Sequence, residues 1–166
     1  MHPAALDDDA LLKDCTVTSG RASGSGGQNR NKVETAIRIT HNPTGIDASA
    51  TERRHKQQNK QQAIFRLRVK LATQIREPMD PSREPSALWI SRIKDRKLLI
   101  NPSHLDFPTL LAEALDRIAM LQHDMSAAAQ AMGVSTSQLL KLVKHEPDAL
   151  SLLNQARQLR GLRPLR

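Results

Sequence analysis

The sequence predicts an α+β fold: a small β-α-β-β-α domain followed by an all-α domain that is helix-turn-helix-like. Three observations carry this. Short β-branched runs and a hairpin signal lie in the first fifty residues, a long helical pattern follows them, and prolines then separate that half from one in which apolar residues recur at helical spacing. The boundaries that follow are 1–77 for the first domain, 78–85 for a Pro-rich linker and 86–166 for the helical domain, with 125–145 as its helix-turn-helix-like segment.

Cys15-Thr16-Val17-Thr18 suits a strand and breaks at Ser19-Gly20 into a loop carrying Gly24, Gly26 and Gly27. Asn29 to Ala36 can form a short helix. Ile37-Arg38-Ile39-Thr40 then alternates at period two, turns at Asn42-Pro43-Thr44-Gly45 and pairs with a strand from Ile46 to Ala50. From Thr51, the N-cap candidate, a long helix runs with Ile64, Leu67, Leu71 and Ile75 as its apolar stripe until Glu77-Pro78 stops it. Pro78, Pro81 and Pro85 make the linker stiff and poorly helical.

Residues 86–100 fit neither period cleanly. Beyond them Pro108 sits where first-turn prolines sit, ahead of the face made by Leu110, Leu111, Leu115 and Ile118. Ala127 to Met132, the turn at Gly133 and a helix capped by Ser135 form the helix-turn-helix-like pair, and a last helix opens at Pro147 and ends near Gly161. If that pair binds nucleic acid, Thr136, Ser137, Gln138, Lys141 and Lys144 lie on its exposed face, with Arg157, Arg160, Arg163 and Arg166 nearby; a purely structural helical bundle is the other reading.

Composition narrows the function. The formal charge of +8 and the isoelectric point near 10.3 favour a polyanionic partner, because cations that neutralise phosphates release condensed counterions. Aromatics amount to 2%, with one Trp and no Tyr, which argues against a reader of single-stranded bases by stacking. Cys15 is alone and the histidines are scattered, so neither a disulfide nor a zinc set is expected, and no metal or cofactor is assigned. The acidic start Asp7-Asp8-Asp9 and the lack of an apolar run near ~18 residues lead to the expectation of a cytoplasmic protein with no membrane partner, acting as a monomer.

The glycine loop lacks the third glycine of G-x-G-x-x-G and the chain has no G-x4-G-K, which disfavours nucleotide binding of those kinds. What stands there is Arg21-Ala22-Ser23-Gly24-Ser25-Gly26-Gly27-Gln28-Asn29-Arg30-Asn31-Lys32-Val33-Glu34-Thr35, then Arg38-Ile39-Thr40-His41 and Pro43-Thr44-Gly45. Together with Glu52-Arg53-Arg54 and Asn59-Lys60, this run resembles the catalytic domain of class I peptide-chain release factors from about Cys15 to Ala72. Gly-Gly-Gln alone is a weak signal, whereas in this order and context it is strong. Arg30 departs from the family's more usual valine, and His55-Lys56-Gln57-Gln58 replaces its commoner stretch before Asn59.

The residue types agree with what the resemblance implies. Adjacent glycines let a backbone approach a reacting centre without a Cβ in the way, and an amide side chain does not titrate near neutrality, so Gln28 can stabilise and position but cannot act as a general base. The resemblance implies that Gly26, Gly27 and Gln28 are the catalytic tip, that the Gln28 backbone N–H faces the oxyanion or leaving oxygen as water attacks the peptidyl-tRNA ester, and that the ribosome's rRNA and the tRNA are the partners. Arg21, Arg30, Lys32, Arg53, Arg54, Lys56, Lys60 and Arg66 are candidates for RNA phosphates, with a solvated face as the alternative for any one of them. Because stop-codon-reading members carry large further domains and Pro-Ala-Thr or Ser-Pro-Phe tripeptides that do not occur here, the expectation is ribosome-dependent peptide release without a stop codon, as in ribosome rescue. The alternative is a non-catalytic nucleic-acid-binding regulator working through the helix-turn-helix.

Overall fold

The computed structural model describes residues 1–20 and 35–166. The fold mixes helices with two small sheets and is α+β, and it divides into two compact units, Pro3–Leu71 and Met1–His2 with Ala72–Arg166.

The first unit opens with a 3-10 turn at Pro3–Ala5 and helix α1, Asp8–Lys13, whose N-cap Asp7 accepts from Ala10 N at 2.8 Å. Strands β1 (Cys15–Gly20), β2 (Ala36–His41) and β3 (Asp47–Ala50) form an antiparallel sheet in that order. The expected hairpin is present: Ile37 pairs with Ala50 and Ile39 with Ala48, and these four side chains make the buried face. His41 N bonds to Ile46 O and Gly45 N to His41 O, with Gly45 at φ 71°, so the Asn42–Gly45 turn uses its glycine for a left-handed residue. The helix expected at 29–36 falls largely outside the described residues, and Ala36 itself begins β2.

Helix α2 spans Lys56–Gln74, and its residues up to Leu71 belong to this unit. Ala63, Ile64, Leu67 and Leu71 are buried with Ala4 and Leu11, completing the core. Thr51 is not the N-cap; the helix starts five residues later. The reason is tertiary: Asn59, fully buried inside the helix, engages the backbone of Arg53 and holds 51–55 as a non-helical wrap over the first turn.

In the second unit a short helix α3 (Ala87–Ser91) is capped by Ser86, which is itself gripped by the Glu113 carboxylate through Ser86 N at 2.7 Å and Oγ at 2.6 Å. The expectation that 86–166 is all helix is corrected at Ile93–Lys94 (β4) and Lys97–Leu98 (β5), which pair as a minimal hairpin. Asp95 and Arg96 take φ 51° and 59° at its tip, the pairing of two left-handed residues that the right-handed twist of a two-residue hairpin demands. Without Asn-Gly at the turn, the usual sequence sign was missing.

Helices α4 (Phe107–Met120), α5 (Met125–Ala131), α6 (Thr136–Lys144) and α7 (Pro147–Leu159) complete the unit. Leu110, Leu111, Leu115 and Ile118 are buried along α4, as their spacing predicts. Trp89 is completely buried and its indole N–H donates to Met132 O at 2.8 Å, and the small Ala128 and Ala129 are buried with it. Asp124 caps α5, Ser135 caps α6, and Pro108 and Pro147 lie in the first turns of α4 and α7. Gly161, at φ 71°, follows the end of α7.

Candidate functional site

Gly26, Gly27, Gln28 and the cations Arg21, Arg30 and Lys32 lie outside the described residues; the ends of the strands that they connect are described. β1 and β2 pair from Cys15–His41 to Gly20–Ala36, so residues 21–34 join two chain ends held side by side at one end of the sheet. Both strand ends, Gly20 and Ala36, are fixed by ladder pairing.

The second of those ends has an additional anchor. Asn59 Nδ2 donates to Thr35 O at 2.7 Å and to Arg53 O at 3.0 Å, while its Oδ1 accepts from Arg53 N at 2.9 Å. One buried amide thus ties together α2, the 51–55 wrap and the residue just before β2, and with two donors and an acceptor engaged it meets the requirement that buried polar groups be satisfied. Asn59 belongs to the family-like Asn59-Lys60 pair, and its sequence context gives no sign of this anchoring role beyond an uncharged amide at a position that helical spacing turns inward, five residues before the apolar stripe begins.

The cations separate into two classes. Arg66, counted among the RNA candidates, is engaged within the unit: Nη1 donates to Ser49 O at 2.8 Å and Nη2 pairs with the Glu52 carboxylate, whose hydrogen bond from Arg66 holds it down to about 2. Lys70 donates to Asp47 O at 2.8 Å, so two side chains of α2 cover carbonyls of the sheet's β3 edge, which would otherwise invite pairing with another chain. Arg38 pairs with Asp47 at 3.0 Å. By contrast Arg53, Arg54 and Lys56 are exposed, and with half-buried Lys60 they have no side-chain ion pair or hydrogen bond among the described residues. Arg53 and Arg54 lie in the 51–55 wrap and Lys56 and Lys60 in the first turns of α2, the stretch from which Asn59 reaches Arg53 and Thr35. Of the eight predicted cations, four thus have no side-chain partner among the described residues and Arg66 is engaged within the unit.

In the second unit, Asp116 and Arg117 are both buried charges, and Asp116 is the acidic one. It accepts from Arg76 Nη1 and from Glu77 N, both at 3.1 Å, yet burial outweighs these contacts and pushes its carboxyl up to about 6. Of the arginines expected beside the helix-turn-helix-like segment, Arg157 donates to His123 O and to Arg163 O, and Arg160 donates to Gln122 Oε1, so both hold their own unit together. Among the described residues, no helix is long and apolar enough to cross a membrane.

Comparison with known proteins fits the same segment. The RF-1 domain family model matches residues 9–97. A chloroplastic peptide chain release factor of Arabidopsis thaliana is 48% identical over 73 residues, covering 39% of this chain and 16% of that protein. Peptide chain release factor 1 of Chloroherpeton thalassium is 43% identical over 88 residues, covering 49% and 25%, and peptide chain release factor 2 of Thermotoga maritima is 47% identical over 70 residues, covering 40% and 19%. The chain thus spans a quarter or less of the length of these relatives, and residues 98–166 lie beyond the family match.

Proposed function

This chain belongs to the class I peptide-chain release factor family, and from that premise we propose that it hydrolyses the ester of peptidyl-tRNA on the ribosome and releases the nascent peptide. Gly26, Gly27 and Gln28 are the tip that does it. Water attacks the ester carbonyl, the Gln28 backbone N–H donates to the oxygen on which charge develops, and the Gln28 side chain shapes the place of the water. Removing one such donor costs on the order of 100- to 1000-fold in rate.

The observation that carries the reading is the Gly-Gly-Gln run within a family-matched segment whose two ends are fixed, one by the Gly20–Ala36 pairing and the other by Asn59. Arg53, Arg54, Lys56 and Lys60 stand as phosphate contacts to rRNA or tRNA, joined from the loop by Arg21, Arg30 and Lys32. The assignment of 1–77 as the catalytic domain in β-α-β-β-α order, 78–85 as linker and 86–166 as an accessory helical domain belongs to the same proposal. So does release that needs no stop codon, supported by a C-terminal unit that extends beyond the family match and offers its own cations.

The test is peptide release from ribosomes carrying peptidyl-tRNA, with and without a stop codon in the A site. Gly27→Ala and Gln28→Ala should each slow release by on the order of 100-fold or more while leaving ribosome affinity in place. Undiminished release by both variants overturns the mechanism, and release only with a stop codon overturns the rescue reading. The second reading, a regulator using 125–145 as a helix-turn-helix, is favoured by one observation: α5 and α6 are joined through Gly133 at φ 67°, and Ser135 caps the second helix. An affinity for duplex DNA far above that for ribosomes is the outcome that selects it.

A further inference from the structure

We propose that the β4–β5 hairpin and the exposed side of α6 form one docking surface for the sugar-phosphate backbone of duplex RNA. Three cations, Lys94, Arg96 and Lys97, crowd a four-residue hairpin tip that also contains Asp95, and Lys141 and Lys144 lie on α6. All five are exposed, and none has a side-chain ion pair or hydrogen bond among the described residues. Helix α6 carries no carboxylate of its own; the nearest in sequence are Glu146 and Asp148, beyond its end.

The two parts are held as one piece. Ser135 N, at the start of α6, donates to Arg96 O at 3.2 Å, and the hairpin tip and the helix start line a common solvent-facing recess with Ser126, Gln130 and Thr136. Leu98 of β5 also lines a second recess with Gln138 and Lys141 of α6.

The backbone adds a separate argument. Arg96 sits at φ 59°, a left-handed conformation that costs an L-residue with a Cβ about 1–2 kcal/mol and that Gly or Asn would take more readily. An arginine at that place is explained by what its guanidinium does outside the unit, since within it only the Arg96 carbonyl is used.

Duplex is favoured over single strand because the three aromatic side chains offer no stacking platform: Trp89 and Phe107 are buried and Phe65 is half-buried. RNA is chosen over DNA because the proposal rests on the ribosomal reading above, and because the hydroxyls of the exposed Thr136 and Ser137 suit the wide, shallow groove where RNA displays its 2′-hydroxyls.

The experiment measures binding of the full chain to a fluorescent RNA duplex of roughly 20 base pairs, the same sequence as DNA duplex, and single-stranded RNA, across a salt series. Arg96→Gln and Lys141→Gln should each weaken duplex-RNA binding by about fivefold and lower the log–log salt slope by about one, and Arg83→Gln, an exposed cation elsewhere in the unit, should change neither. Arg96→Gly separates function from folding, since it should raise the melting temperature while lowering affinity. Unchanged duplex-RNA affinity in Arg96→Gln and Lys141→Gln, or tighter binding of the DNA duplex, overturns the proposal. Because this measurement involves neither ribosome nor ester, its failure is distinguishable from failure of the release reading.

Discussion

The two units stabilise themselves by different means. In Pro3–Leu71 the apolar core is small, made of one sheet face, one helix stripe and two residues from the N-terminal segment, and much of the specific geometry comes from side chains bonded to backbone: Asn59 on Thr35 and Arg53, Arg66 on Ser49, Lys70 on Asp47. In Ala72–Arg166 the helices bury Trp89, Phe107, Met132 and a run of Leu, Ile and Val; polar side chains cap helices and bond backbone there too, but this unit also carries the Asp116 carboxylate into its interior. The difference teaches that a polar tie has opposite worth in the two settings. Where it satisfies backbone that the fold cannot pair otherwise it stabilises, and where it carries charge into an apolar core its burial costs more than its contacts return.

The sharpest way to break that comparison is Trp89→Ala, which removes the largest fully buried side chain and leaves Met132 O without its donor. A loss of about 3–5 kcal/mol is expected, read from denaturant unfolding and from faster amide exchange in α4 to α6. A loss under 1 kcal/mol would mean that apolar burial is not what holds this unit.

Asn59→Ala tests the other setting. It strands the Arg53 amide and the Thr35 carbonyl, and a loss on the order of 2 kcal/mol is expected, with exchange accelerating first around 53–59. If peptide release proves to depend on the ends of the 21–34 segment, Asn59→Ala should slow release at saturating ribosomes more than it weakens ribosome binding. Equal changes in both would reduce Asn59 to a general structural role.

Asp116→Asn reverses the sign. Its folded pKa of about 6 stands above the ordinary 3.8, so the folded chain keeps a proton that the unfolded chain gives up between those values. Stability from this group is therefore greatest below pH 4 and declines as pH rises through 6, by on the order of 1–3 kcal/mol. The asparagine variant keeps an oxygen for Arg76 and Glu77 N, and should flatten melting temperature against pH across that window and match or exceed the native protein at pH 7. A variant less stable than the native protein at pH 7 would show that the ion pair outweighs the burial cost.

Local signals were legible wherever the determinant lay within a few residues. The strand at Cys15–Thr18, the Asn42–Gly45 turn between alternating strands, the prolines of α4 and α7 and the Ser135 cap all act at short range, and each is found where its residues put it. The Thr51 cap failed because the competing partner, Asn59, sits inside the helix and takes the backbone that Thr51 would have joined. The Ile93–Leu98 hairpin was illegible because two-residue strands give no period to detect and its left-handed turn is built from Asp and Arg.

The sequence alone determined the family-defining order of residues around Gly26-Gly27-Gln28, the positions of the main helices and strands, and the excess of positive charge, because these depend on residue type and short spacing. Only the tertiary structure decided which cations are available to a partner. Arg66, Arg157 and Arg160 read like any other arginine, yet each is bonded within its own unit, while Arg53, Arg54, Lys56 and Arg96 have no side-chain partner among the described residues. Whether a charge is available depends on pairing, and for Arg66, Arg157 and Arg160 the partners stand up to 38 residues away along the chain, where no local pattern records them.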